Sequence, residues 1–285
     1  MDLIDRMNDN TINQINSNGE SAFFLACKHN CSVVAKKLFN RTSNETINIK
    51  TQMDEYTALH FACVHGFTIT QMLIDCMTDE LINCIHIHGS NAFMSAVALG
   101  NEKDALKLFN RTYHENIDYI VVLERIIKYR MITLGLKIIS RLVDKQMDDV
   151  INRIDEKGIT WLFRFITCNM CELAIAIIPY VSPMIINRVY STGCTLLQYA
   201  CERKEIDTAN ALIDRMHKYF ISHVNKLNQS ALTISCKNNM NETALKLIPL
   251  TAQEIIDHVD NNDCSALMYA NKNDMNNVVK ILAGN

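Results

Sequence analysis

The sequence predicts an all-α solenoid, in which helix–turn–helix units stack in a row and are joined by small turns. The chain of 285 residues is 48% hydrophobic and 21% charged, a composition typical of folded proteins. It holds only 8 glycines and 3 prolines, fewer than the many turns of a β-sandwich or barrel need. In addition, one short segment recurs at intervals of about 35 residues, which indicates a repeat architecture.

The recurring segment is clearest at residues 57–66, where it reads TALHFACVHG. Related segments occupy residues 21–27, 91–96, 195–201, 230–236 and 265–270, with a weaker copy at 160–165. One residue near the end of each copy serves as an anchor, and the anchors are Ala26, Ala62, Ala96, Ile126, Phe165, Ala200, Ser235 and Ala270. Residues 1–285 are therefore interpreted as a single solenoid of eight repeats plus a leading half-unit.

Each repeat is expected to contain two helices and a finger-like turn. Thr, Ser or Asn begins the segment and is a natural N-cap for a short inner helix. Gly or Asn often stands four residues after the anchor, where a left-handed residue would end that helix; these residues are Asn30, Gly66, Gly100, Asn169 and Asn239. A longer outer helix follows, and an Ile-Asn-x-Ile-Asp stretch then leads to the next repeat.

Two parts of the chain lack the recurring segment and are assigned by comparison with the other repeats. The repeat at residues 117–150 has lost the segment, so Ile126 is placed by counting and the finger before it is expected to be distorted. The N-terminal LIDRM of residues 3–7 is identical to residues 212–216, which predicts that the chain begins inside an outer helix. At its other end the chain stops soon after an outer helix, so we expect no appended domain.

Residues 57–66 resemble the Thr-Pro-Leu-His-x-Ala signature of ankyrin repeats and its helix-ending glycine. The chain departs from that pattern, because the proline is replaced and the period is nearer 35 than 33. His60 is the only signature histidine, so the hydrogen bonds between repeats that it makes in the family are expected to be mostly absent. The wealth of Asn and Ile is similar to ankyrin arrays of giant DNA viruses of amoebae.

No residue pattern predicts catalysis, a cofactor or a metal. Cys168 and Cys171 have the spacing of one ligand pair of a zinc site, and Cys27, His29 and Cys31 look similar. Neither group has a second pair of ligands nearby. Phosphate loops and nucleophile elbows are missing from the sequence. His60 is interpreted as structural, and the lone Trp161 as a core residue.

The composition also predicts a cellular compartment and a class of partner. Eleven cysteines without a secretory signal predict reduced thiols and a cytoplasmic location, in the host cell if the chain is viral. A net charge of −3 predicts no nucleic-acid partner, and the short apolar runs predict no membrane span. We therefore expect a monomeric, non-catalytic scaffold that binds an intracellular protein on its concave surface. The alternatives are an adaptor subunit, as in a ubiquitin-ligase assembly, and an enzyme or nucleic-acid binder hidden in an atypical repeat.

The ankyrin resemblance implies that finger residues and the residues ending the inner helices face the partner. Transferred position by position, the candidates are Glu20, Lys28, His29, Met53, Asp54, Tyr56, Val64, His65, Ile87, His88, Ser90, Glu156, Lys157, Glu202, Arg203, Lys237 and Asn238. Tyr56, flanked by Met53 and His65, is the strongest single candidate because aromatic anchors dominate interface energetics. The alternative that these positions are solvated and free to vary stays open.

Overall fold

The structure is a computed structural model that describes residues 3–284. Over this range the regular elements are 24 α-helices and three single-turn 3₁₀ helices, and other backbone pairing is limited to isolated antiparallel bridges. None of the described helices is both long and apolar enough to cross a membrane. The all-α prediction is confirmed.

Except in the fourth repeat, the inner helices begin and end where the repeat pattern predicts. They span Ala22–Lys28, Ala58–His65, Ala92–Ala98, Tyr119–Tyr129, Trp161–Thr167, Leu196–Glu202, Ala231–Lys237 and Ala266–Lys272. The predicted caps form, since Ser21, for example, accepts a hydrogen bond from the N–H of Phe24. The five residues expected to end these helices all have positive φ, and Arg130, Lys204 and Asp274 have it at the corresponding positions.

The outer helices follow after two to four residues. They span Leu3–Arg6 in the leading half-unit, then Ser32–Phe39, Thr70–Cys76, Glu102–Phe109, Ile132–Asp144, Cys171–Ile177, Ile206–Ile213, Asn241–Leu247 and Asn276–Leu282. Two of them continue into 3₁₀ turns at Ile178–Tyr180 and Ile248–Leu250. Small residues such as Ala35 and Ala105 are fully buried on them, which permits the close approach of the inner helices.

A third element in most repeats was not predicted. The Ile-Asn stretch forms a single helical turn before it reaches the finger, and these short helices span Asp9–Ile12, Asn44–Ile47, Asp79–Ile82, Asp148–Ile151, Pro183–Ile186, Lys218–Ile221 and Gln253–Ile256. The isoleucine at the end of the turn is buried in six of them, for example Ile12 and Ile82 at 0% exposure. Burial of this side chain holds the turn against the repeat, so the expectation of two helices per repeat was incomplete.

The fingers are tight turns closed by side chains. Five of them carry an antiparallel bridge at their base, as between Ile154 and Thr160. The final Asp of the Ile-Asn-x-Ile-Asp pattern closes the turn, because Oδ1 of Asp155 accepts hydrogen bonds from the N–H groups of Lys157 and Ile159. Neighbouring fingers are also joined, since the N–H of Gln52 donates to the carbonyl of Asn18.

The fourth repeat differs from the others in both helix length and finger. Its helices have 11 and 13 residues, whereas the inner and outer helices of the other seven repeats have 7 or 8. The N-cap that the lost signature should supply is Asp118, whose carboxylate accepts from the N–H groups of Ile120 and Val121. A 3₁₀ turn, His114–Asn116, stands where the finger and short helix would lie.

Two compact units divide the chain, one up to Leu134 and one from Gly135. In the first unit, the inner helices of repeats 1 to 4 pack on one another in order, and each of repeats 1 to 3 packs its outer helix on its inner helix. In the second unit, the inner helices of repeats 5 to 8 form one such row and their outer helices another. Each unit thus has the stacked arrangement of an all-α repeat solenoid.

The residue that ends a short helix fastens the next repeat in six of the seven cases, and in five of these it is an asparagine. Nδ2 of Asn83 donates to the carbonyl of Arg111 at 2.9 Å, and its Oδ1 accepts from the N–H of Tyr113 at 2.7 Å. The same acceptor bond, 30 residues ahead, is made by Asn13, Asn48, Asn152, Asn187 and, with a hydroxyl oxygen, Ser222. We call these six residues the asparagine latches; they give a physical reason for the recurrent Asn of the pattern, whose side chain offers both a donor and an acceptor.

An arginine in some repeats makes a second connection to the preceding repeat. The guanidinium of Arg41 donates to the carbonyls of Ile4 and Met7, both at 2.6 Å, and pairs with Asp9 at 2.7 Å. Arg111 repeats this arrangement, and Arg215 donates to the carbonyl of Ile178. These carbonyls end the preceding outer helix, where backbone acceptors lack partners within the helix.

Substitution of Asn83 by Ala should destabilise the first unit by about 2 kcal/mol, because a partly buried N–H and a partly buried C=O each lose their partner. Denaturant unfolding followed by circular dichroism measures this loss. The matched control is Asn10→Ala, at an exposed position of another short helix, which should change stability by less than about 0.5 kcal/mol. Equal effects of the two substitutions would contradict the latch role.

Candidate protein-binding surface

The 17 predicted binding residues lie on two kinds of segment, the finger turns and the C-terminal ends of inner helices. Twelve of them are exposed: Lys28, His29, Met53, Asp54, Val64, Ile87, His88, Glu156, Lys157, Glu202, Arg203 and Lys237. Tyr56, His65, Ser90 and Asn238 are half-buried, and Glu20 is buried. Both units therefore present part of the predicted surface.

Exposed apolar side chains lie on two neighbouring fingers of the first unit. Met53 is 86% exposed and Ile87 is 57% exposed. The N–H of Ile87 donates to the carbonyl of Asp54 at 3.1 Å, so the two finger tips touch. Val64, at the end of the adjoining inner helix, is 44% exposed. We call Met53, Val64 and Ile87 the finger patch.

A small polar pocket adjoins Met53 between the first two fingers. It has a volume of about 130 Å³ and includes Glu20, Lys28 and Asp54 in its lining. Glu20 is buried and pairs with Lys28 at 2.7 Å. Hydrogen bonds from Asn16 and Lys28 lower the pKa of the Glu20 carboxyl, so the pair stays charged at neutral pH. The carboxylate of Glu20 therefore stabilises its own finger.

Tyr56 is part of a stack of rings rather than a free anchor. Its ring lies 4.9 Å from Phe61 and 4.3 Å from His86, measured between centroids, and both pairs are stacked. His60 meets it edge-on at 5.7 Å. Both faces of Tyr56 are therefore covered, and removal of this ring would weaken the packing of repeats 2 and 3 as well as any interface. Sequence reasoning missed His86, whose stacking depends on the finger geometry.

His60 has the structural role that its place in the segment predicts. It is fully buried, and its Nδ1 accepts from the N–H of Thr57 at 3.1 Å, which closes a capping box. Nε2 faces the next finger, near the carbonyls of Cys84 and Ser90, without ordinary hydrogen-bond geometry. Burial, with a smaller effect of His86, lowers the pKa of His60 to about 4. The imidazole is therefore neutral at pH 7.

Gln198 occupies the position of His60 in the sixth repeat and makes the connection more completely. Its Oε1 accepts from the N–H of Thr195, and its Nε2 donates to the carbonyls of His223 and Gln229 at 2.9 and 2.8 Å. The sequence-based expectation that hydrogen bonds of this kind are mostly absent overlooked this residue. A glutamine amide offers an acceptor and donors at distances similar to those of an imidazole, which is the signal that could have identified it.

Two of the predicted surface residues also join repeats. Nδ2 of Asn238 donates to the carbonyl of Cys201 at 2.9 Å, and Nε2 of His65 lies 3.4 Å from the carbonyl of Lys28. Asn273 makes the same bond to Cys236 in the last repeat. This position therefore secures the end of the preceding inner helix, and its variation between repeats partly reflects packing.

The four cysteines that follow an anchor and Trp161 lie as core residues do. Cys27, Cys63, Cys201 and Cys236 are buried, and burial raises the pKa of Cys27 to about 12. The indole of Trp161 is 4% exposed and donates to the carbonyl of Val150 at 3.0 Å. Among residues 3–284, no group of three or more His, Cys, Asp or Glu side chains is placed to hold a metal ion.

Comparison with known families identifies the first three repeats. Residues 23–119 match the family model of ankyrin repeats in three copies. No curated protein sequence matches the chain significantly. The match supports the ankyrin resemblance over the part of the chain that carries its clearest segment, while the resemblance to arrays of giant viruses stays a prediction.

Acidification should destabilise the first unit through His60. Because its folded pKa of about 4 lies below the unfolded value near 6.5, the stabilisation is complete above pH 6.5 and is lost as pH falls toward 4. Between pH 7.5 and pH 5.0 this amounts to about 2 kcal/mol. His60→Gln, which copies Gln198, should lose this part of the pH dependence.

Denaturant unfolding of both proteins at the two pH values measures the difference. The free energy of unfolding of the variant, minus that of the wild type, should rise by about 2 kcal/mol from pH 7.5 to pH 5.0. Parallel stability curves for the two proteins would show that the pKa of His60 is the same in the folded and unfolded states, and would contradict the lowered folded pKa.

Proposed function

We propose that this chain is a non-catalytic scaffold that binds a protein partner through the finger patch and the neighbouring ends of the inner helices. Ankyrin repeats are generally protein–protein interaction modules, and the three matched copies contain the whole finger patch. The observation that carries the proposal is the exposure of Met53 and Ile87 at two touching finger tips. Exposed apolar groups of this kind at adjacent positions are typical of interaction surfaces.

The physical role of the surface follows from its construction. The fingers are fixed by side-chain hydrogen bonds and by contacts between neighbours, so little conformational entropy remains to be lost on binding. Met53 is unbranched and polarisable and adapts to a partner's shape. His29 and His65 at the ends of two inner helices and His88 on a finger supply polar groups for the same partner. We propose that a monomer in the cytoplasm presents this surface to an intracellular protein.

The proposed surface is tested by placing a photo-crosslinking amino acid at residue 53 or 87 and identifying the products from native cell extract by mass spectrometry. Both positions should capture the same protein. The same probe at Val33, an apolar outer-helix residue that is 72% exposed, should not capture it. Capture from residue 33 alone would place the interface elsewhere.

The double substitution Met53→Glu and Ile87→Glu should weaken binding of the captured protein at least tenfold, because it puts two charges into an apolar contact. The melting temperature should stay within about 2 °C, since both side chains are exposed. Val33→Glu is the matched control. These changes are preferable to Tyr56→Ala, which would also disturb the ring stack. Unchanged affinity of the double variant would refute the finger patch as the binding site.

A further inference from the structure

Glu205 occupies a position that other repeats fill with an apolar residue. The position lies five residues after the anchor, and in all eight repeats its N–H donates to the carbonyl of the anchor. In four repeats the residue is a methionine that is at most 1% exposed; these are Met131, Met170, Met240 and Met275. Glu205 is 7% exposed. A carboxylate therefore takes a place that elsewhere belongs to the core.

The carboxylate of Glu205 lacks the hydrogen bonds that burial requires. Both of its oxygens are buried, and neither has a hydrogen-bond partner among residues 3–284. The thiol of Cys171 and the hydroxyl of Thr208 are close to it but lack ordinary hydrogen-bond geometry, and the hydroxyl is itself without a partner. Burial without such partners disfavours the ionised form of a carboxyl group.

A second buried carboxylate shows how this fold can satisfy one. Asp104 in repeat 3 is 4% exposed, and its two oxygens accept hydrogen bonds from the side-chain amides of Asn101, at 2.6 Å, and Gln71. In repeat 6 the corresponding places hold Glu205 instead of Asn101 and Thr208 instead of Asp104. The unsatisfied carboxylate is therefore a property of this repeat and not of the fold.

The charged groups near Glu205 are exposed to solvent. Glu172 lies on the preceding outer helix, and Arg203, Lys204 and Asp207 lie in the same turn as Glu205. None of them donates a hydrogen bond to its carboxylate. Two of the four are positive and two are negative, and water screens each of them, so their effects on the carboxylate largely cancel.

The position of the proton is therefore coupled to the position of the turn. Burial raises the pKa of the Glu205 carboxyl above its ordinary value of 4.5, and the proximity of Cys171 and Thr208 offsets this only in part. A cavity of about 310 Å³ adjoins the turn and is lined by Cys171 and residues 204–208. If the turn opens, water from this cavity reaches the carboxylate and its pKa returns toward 4.5. The closed turn thus binds the proton more tightly than the open turn, and by linkage ionisation favours opening.

We propose that Glu205 is a proton-sensitive switch of the turn at residues 203–207, which is closed while the carboxyl is protonated and opens when the carboxyl ionises. The stabilisation is complete below pH 4.5 and is lost as the pH rises through the folded pKa. This direction is opposite to that of His60, so acidification closes this turn while it weakens the first unit. No partner takes part in the switch, and the inference does not rest on the proposed function.

The test is native-state hydrogen exchange of the full chain, resolved by NMR for single amides at pH 4.5 and pH 7.5. The amides of residues 203–205 donate to carbonyls of their inner helix and report on the closed turn. After correction for the intrinsic exchange rate, their protection should be at least about threefold lower at pH 7.5. Residues 238–240 form the same hydrogen bonds in repeat 7, with Met240 at the switch position, and their protection should not change.

The variant Glu205→Gln carries a neutral side chain of the same shape and should keep the higher protection of residues 203–205 at both pH values. Glu172→Gln, which removes an exposed carboxylate nearby, is the matched control and should behave as the wild type does. Glu205→Met copies four other repeats and has the same expected result as Glu205→Gln, so it replaces that variant if the glutamine does not fold.

Three results overturn the proposal. Equal protection of residues 203–205 at the two pH values in the wild type would show that ionisation does not open the turn. A pH-dependent loss of protection that persists in Glu205→Gln or Glu205→Met would assign the effect to another group. An equal loss at residues 238–240 would show that the whole unit, and not this turn, responds to pH.

Discussion

The asparagine latch is the interaction on which the repeat structure depends. A one-turn helix cannot be stable in isolation, because nucleation fixes several residues for a single hydrogen bond. In this chain the turn is held by a buried isoleucine, and the asparagine that ends it satisfies two backbone groups of the next repeat. Local structure and stacking are thereby coupled: the turn forms because the next repeat is in place, and the next repeat is positioned because the turn has formed.

Features governed by neighbouring residues were readable from the sequence. The N-caps and the left-handed residues depend on contacts within four positions, and Ser21 and Asn30 fulfil both expectations. The latches were visible only as a recurrent Asn, because their partners lie 30 residues ahead and are backbone groups without a sequence signature. For the same reason Gln198 escaped notice, since its function depends on two carbonyls of the next finger.

The candidate surface was predictable in position but not in role. The transferred positions do lie on fingers and helix ends, yet the same type of position serves different purposes in different repeats. Asn238 holds the preceding helix, Glu20 closes its own finger through Lys28, and Met53 is left to solvent. Which role a side chain takes depends on its own donors and acceptors and on the backbone groups within its reach, and spacing alone does not encode the latter.

The separation between each latch and its partner has a consequence for synthesis of the chain. A latch asparagine leaves the ribosome 30 residues before the N–H group that will donate a hydrogen bond to it. Each of these hydrogen bonds can therefore form once one further repeat has emerged. No latch waits for the distant end of the chain. Folding can therefore advance repeat by repeat behind the elongating terminus, and the apolar surface exposed at any moment is limited to that of the newest repeat.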